Sequence, residues 1–147
     1  MLVNPLHAAS PVAPMAPSPY LPVTRRFFNP IYLRVEAVPE YDALAGAARA
    51  RVDALAAQCR AANRSAALLD RDMVWAAKRE ALTLLHEVPA TPARRSAYGA
   101  YLEREGQGLV DFATWCAFVE ERGPDADWPD ALRDPGSSEV AAERERL

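Results

Sequence analysis

Ser18, Pro19 and Tyr20 combine a hydroxyl with a ring that an adjacent proline holds still. Behind them runs Arg25-Arg26-Phe27-Phe28-Asn29-Pro30-Ile31-Tyr32-Leu33, dense in aromatic rings and in groups that bind polar ligands. Met1 to Thr24 contain no Asp, Glu, Lys or Arg, and Pro5, Pro11, Pro14, Pro17, Pro19 and Pro22 punctuate them. Proline removes a backbone donor and fixes φ, so most of this stretch can be neither helix nor central strand. Disordered tails usually carry charge and few aromatics. An uncharged, aromatic, proline-stiffened loop reads instead as a structured wall of a larger site.

Other reactive side chains are less promising. His7 stands alone, without the Cys, His or carboxylate spacing that a metal site needs, so it is at most a cleft-lining group. Glu103 with Glu105, Glu120 with Glu121, and Asp125, Asp127 and Asp130 lie close in sequence. They fall on helix ends and in a polar loop, where solvated charge is expected rather than an acid–base pair. Arg25 and Arg26 could bond a ligand, but covering aromatic surface or pairing with acidic helices explains them as well. Cys59 and Cys116 form no C-x-x-C pattern and read as buried, reduced thiols. Trp75, Trp115 and Trp128 sit at helical or turn positions that core packing explains. Pro19-Tyr20-Leu21-Pro22 fits the spacing read by polyproline-binding domains, a pattern common by chance. No cofactor and no metal are expected.

The elements that must position the loop are mostly helical. At 147 residues the chain is long enough for an ordinary domain with a real core, although much of its hydrophobic half is alanine. A net charge of −3 argues against a nucleic-acid-binding face. Lys78 is the one lysine beside sixteen arginines, which reads as coding bias. The N-terminus lacks a basic n-region, and no apolar run approaches the roughly 20 residues of a membrane span. A cytoplasmic protein is expected, with neither membrane nor nucleic acid among its partners.

Leu2-Val3 reads as the tail of a buried strand that Asn4-Pro5-Leu6-His7 breaks, and Ile31 to Val38 alternates well enough for a strand ended by Pro39. From Tyr41 the period is helical, with Leu44, Ala48, Val52, Leu55, Ala56 and Cys59 as the apolar stripe and Asn63-Arg64-Ser65 as its close. Asp70 is expected to cap a second helix that carries Val74, Ala77, Ala81, Leu84, Leu85 and Val88 and ends before Pro89. Thr91-Pro92 opens a third, with Tyr98, Tyr101 and Leu102, which Gly106-Gln107-Gly108 stops. A fourth carries Leu109, Phe112, Ala113, Cys116 and Val119 up to Gly123-Pro124. Trp128-Pro129 opens a short connection, and Ser137 or Ser138 caps a last helix. The fold class expected within this stretch is mainly α, with one or two short strands after a Pro-rich loop. It divides into residues 1–40, holding strand, loop and extended segment, and 41–147, a helical subdomain.

Strands without partners leave unpaired edges, so the pattern suggests a section of a longer α/β chain. In order and spacing, Leu2-Val3-Asn4-Pro5-Leu6, Ser18-Pro19-Tyr20 and Asn29-Pro30 resemble the amylomaltase-type 4-α-glucanotransferases of glycoside hydrolase family 77. Asp72-Met73-Val74-Trp75-Ala76-Ala77-Lys78-Arg79, Phe112-Ala113-Thr114-Trp115-Cys116-Ala117 and Trp128-Pro129 extend the resemblance along the chain, which covers about a quarter of a full-length member.

The resemblance implies part of a (β/α)8 barrel with inserted helices. It implies an enzyme that cleaves an α-1,4-glucan and passes it to another glucan's 4-hydroxyl, with maltodextrins, starch- or glycogen-derived glucans and glucose acceptors as partners. The chemistry is retaining, by two carboxylates about 5–5.5 Å apart, at the C-terminal ends of later strands and outside these residues. No catalytic residue is therefore expected here, and the isolated stretch is expected to be truncated and inactive. Tyr20, Ser18, Pro19 and Asn29 are the expected substrate-binding residues: the Tyr20 ring can stack on a glucose unit while its hydroxyl bonds a sugar oxygen. The alternative is a non-catalytic helical interaction module with a proline-rich N-terminal arm.

Overall fold

A computed structural model describes residues 4–64, 66–124 and 127–147. The expected Leu2-Val3 strand, Ser65 and Asp125 lie outside the described residues. Among the described residues two strands, β1 (His7–Ala8) and β2 (Thr24–Phe28), precede six α-helices. These are α1 (Gly46–Ala62), α2 (Arg71–His86), α3 (Pro92–Glu105), α4 (Gln107–Arg122), α5 (Asp130–Arg133) and α6 (Ser138–Arg146). The chain is mainly helical, as expected, but among the described residues the two short strands pair antiparallel with each other rather than standing without partners. No helix among the described residues is long and apolar enough to cross a membrane.

The strands are not where alternation placed them. His7, read as part of a strand break, pairs with Phe28 in β1–β2, and Ala8 pairs with Thr24 across an irregular register. Ile31 to Val38, read as a strand, forms two 3₁₀ turns at Pro30–Tyr32 and Val35–Ala37. The cause is local. The Asn29 side chain accepts a hydrogen bond from the Ile31 N–H, and Pro30 supplies a φ suited to the first turn of a helix. Ile31 and Val35 are the buried residues, four apart, so the burial follows a helical step.

The chain forms two compact units, one of residues 1–9 and 14–91 and the other of 10–13 and 92–147. In the first, α1 and α2 pack on each other through Val52, Leu55, Ala77, Ala81 and Leu85, and Val35 and Leu44 close the core. The alanines let the two helices approach closely. Asp70 caps α2 as expected, accepting from Met73 N–H at 2.9 Å. The α1 stripe runs as read, but Pro39–Ala43 is a 3₁₀ turn, and the α-helix begins only at Gly46.

In the second unit, Phe118, Val119, Trp128 and Val140 form the core, joined by Val12, Trp115 and Leu132. The Phe118 and Trp128 rings meet edge to face with centroids 5.6 Å apart, and the indole N–H donates to Gly123 O. Gly106 stops α3, but α4 begins at the next residue, so Gln107 and Gly108 are helical rather than loop. The buried residues of α4 are Thr114, Phe118 and Val119. Of the expected stripe only Val119 is fully buried. Ser137 caps α6 by accepting from Val140 N–H at 3.1 Å. Arg146 pairs with Glu121, Arg122 with Glu143 and Arg144 with Asp111. These side chains are partly exposed, so such pairs contribute little individually.

Candidate glucan-facing site

The uncharged loop is held at several points within the first unit. Val23 N–H donates to Ala8 O at 2.9 Å and Asn29 N–H to Leu6 O at 2.8 Å, which brings the loop's exit back beside its entry. Midway, Met15 is buried and its N–H donates to the Asp72 carboxylate at 2.7 Å. Past the loop, the Lys78 ammonium donates to Leu33 O. Helix α2 therefore holds the segment at two points, six residues apart on one helix.

Ser18, Pro19 and Tyr20 come together in a turn in which Ser18 Oγ accepts from Tyr20 N–H at 3.3 Å. Side-chain hydroxyls stabilise turns in this way. Tyr20 is 65% exposed as a residue, and its hydroxyl donates to Asn4 Oδ1 at 3.2 Å. Asn29 is placed differently. It is buried, and its carboxamide oxygen faces Ile31 N–H at 3.0 Å, so it organises the turn that follows.

Exposed apolar side chains concentrate along this segment. Leu21, Val23, Phe28, Tyr32 and Leu33 join Tyr20 in presenting large apolar surface to solvent. Clustered exposed apolar surface marks interaction sites more often than scattered single residues do. Arg26 lies over the Phe27 ring at 5.5 Å, the aromatic cover expected of it. His7 is a half-buried strand residue.

Among the described residues, the carboxylates noted in the sequence are spoken for or solvated. Glu121 binds Arg146, Glu105 binds Arg104 and Asp130 binds Arg133, while Glu103, Glu120 and Asp127 are exposed. Among the described residues no three His, Cys, Asp or Glu side chains gather as a metal site would require. Both cysteines are free, and burial pushes the Cys116 thiol up to about 11, which makes it a poor nucleophile.

Sequence reasoning missed Asn4 as the partner of Tyr20, Asp72 as the anchor of Met15 and Phe28 as an exposed ring. Composition gives no signal for the first two, because 16 and 57 residues separate the partners. For Phe28 the signal was the Phe27-Phe28 pair itself: adjacent residues in a strand face opposite ways, so one of the two rings had to point outward.

Known proteins resemble the chain over nearly its whole length. The chain is 50% identical to the 4-alpha-glucanotransferases of Mycobacterium bovis and Mycobacterium tuberculosis over 148 residues, which take in 96% of this chain and 20% of theirs. The crystal structure of amylomaltase from Corynebacterium glutamicum superimposes with a TM-score of 0.76 at 40% identity, over 96% of this chain and 20% of that one. The chain thus spans about a fifth of the length of these relatives. The sequence profile of the 4-alpha-glucanotransferases, glycoside hydrolase family 77, matches residues 1–147 from end to end, and the chain belongs to that family.

Proposed function

We propose that this chain forms one wall of the glucan cleft in an amylomaltase-type 4-α-glucanotransferase, a (β/α)8-barrel hexosyltransferase acting on α-1,4-glucans in the cytoplasm. The observation that carries this reading is the exposed Tyr20 ring on a turn anchored at Asn4 and Ser18, within a chain that belongs to the family throughout. Tyr20 stacks on a glucose unit, Ser18 and Pro19 set the pose of the ring, and Asn29 holds the following turn. Aromatic faces suit the apolar faces of sugars, and the phenol hydroxyl adds a directional bond.

The transfer itself needs a carboxylate nucleophile and a carboxylic acid about 5–5.5 Å apart. No Asp or Glu occurs before Glu36, and Asp72, the carboxylate that meets the loop, is engaged by a backbone N–H. The proposal therefore assigns glucan contact to this chain and bond cleavage to residues outside it. Two measurements test it. Maltoheptaose binding to the purified chain, followed by saturation-transfer NMR, should weaken roughly tenfold in Tyr20→Ala, and unchanged binding refutes the role of the ring. Maltotriose incubated with the purified chain should give no glucose above buffer. Disproportionation there refutes the division of labour.

A further inference from the structure

A cavity of about 320 Å³ opens in the first unit between α1, α2 and the segment from Tyr32 to Glu36. Its floor is aliphatic: Val52, Leu55, Ala77 and Ala81 are all buried core residues. Its charged groups are mostly cationic, with Arg34, Arg60 and Lys78 lining it beside one carboxylate, Glu36, and Tyr32, Asn63 and Cys59 add neutral polar groups. That carboxylate is already engaged by Arg60 at 2.5 Å. The Lys78 ammonium has three N–H donors, and the Leu33 carbonyl takes one of them.

A partly buried ammonium over an aliphatic floor is costly unless a charge or acceptor meets it. Burial lowers the Lys78 pKa, and Cys59 and Glu36 offset this only in part. An apolar wall with a few convergent polar groups is the usual form of a small-ligand site, and the volume lies at the low end of that range. The charge selects the occupant. A glucan is neutral and hydroxyl-rich, so it would leave the cationic excess unmet and wet the floor poorly. An anion without an apolar body would leave the floor bare.

We propose that this cavity binds a small amphiphilic carboxylate, its head group beside Lys78 and Arg60 and its hydrocarbon on Val52, Leu55 and Ala81. The cavity shares Tyr32 and Leu33 with the glucan-facing segment but includes neither Ser18 nor Tyr20, so the tests of the two sites read different residues and each can fail alone.

Octanoate is the probe. Isothermal titration of the purified 147-residue chain should give saturable one-to-one binding, with octanol and maltotriose at least tenfold weaker. Cys59 also lines the cavity, so octanoate should slow its labelling by a maleimide severalfold. Cys116 should be unaffected by octanoate and serves as the reference. Lys78→Met should weaken octanoate at least tenfold, and Lys78→Arg should restore much of it. Because Lys78 also holds Leu33, Arg60→Gln provides a variant at an exposed position whose folding is safe, with an expected loss of roughly tenfold. Octanol binding as well as octanoate, undiminished binding in Arg60→Gln, or no saturable heat and no protection of Cys59 would each overturn the proposal.

Discussion

Helices α2 and α3 are of similar length and both carry apolar residues at three- and four-residue steps, yet they stand in opposite relations to the protein. Helix α2 buries Ala77, Ala81 and Leu85 against α1 and sends Asp72 and Lys78 to the loop segment. Helix α3 buries nothing: Tyr98 is 62% exposed and Leu102 40%. Both look alike to a reading of periodicity. An apolar stripe states only that a helix can be covered, while the covering element must be supplied from elsewhere in the chain. For α2 that element is α1, joined to it by a short connection.

The largest test of this contrast is a pair of truncations. Leu85→Ala in α2 should cost about 2–5 kcal/mol, the range for deleting a buried leucine side chain, whereas Leu102→Ala in α3 should cost under about 0.5 kcal/mol. Thermal unfolding by circular dichroism reads both, and equal losses would erase the distinction. Next in size is the α2 cap: Asp70→Ala leaves Met73 N–H without its acceptor and should cost about 1 kcal/mol.

An opposite sign is expected in α3. Gly99 lies in the helix interior, and a Cβ there would meet nothing within 4 Å. Gly99→Ala should therefore stabilise by about 0.5–1 kcal/mol through helix propensity. The smallest effect is electrostatic. Arg51 on α1 holds the Glu80 carboxyl of α2 below its ordinary value by a two-point hydrogen bond. A lowered folded-state pKa gives stability that is present above the ordinary value and fades as pH falls through the lowered one. The Tm difference between the parent chain and Arg51→Met should thus shrink as pH drops below about 4.5, the ordinary Glu value. Both groups are exposed, so salt should shrink it too.

The same contrast explains what was legible in the sequence. Helix boundaries at Asp70, Pro92, Gly123 and Ser137 could be read because caps and breakers act within a few residues. The 3₁₀ turns after Asn29 could not, because Ile31 to Val38 mixes β-branched residues with helical spacing. Only the Asn29 cap and Pro30 decide between the two. The α4 stripe was misread for another reason. Phe118 is buried by Trp128, which lies beyond the Gly123-Pro124 break. Thr114 is buried because its hydroxyl bonds Val110 O and accepts from Arg144 of α6. At the site, Ser18 and Tyr20 were legible by residue type and local turn chemistry. Asn4, which holds Tyr20, and Asp72, which holds Met15 earlier in the loop, were not, since no local rule links residues so far apart.

Gly106 carries a consequence out of proportion to its size. Its φ of 57° and ψ of −147° place it where a side chain is strained, and it is the single residue between α3 and α4. Any other amino acid is pushed toward helical angles, and the stretch from Pro92 to Arg122 could then continue as one rod of about 46 Å at 1.5 Å per residue. The corner between these two helices is thus kept by a missing methyl group, and a single-base change in one codon is enough to put pressure on it.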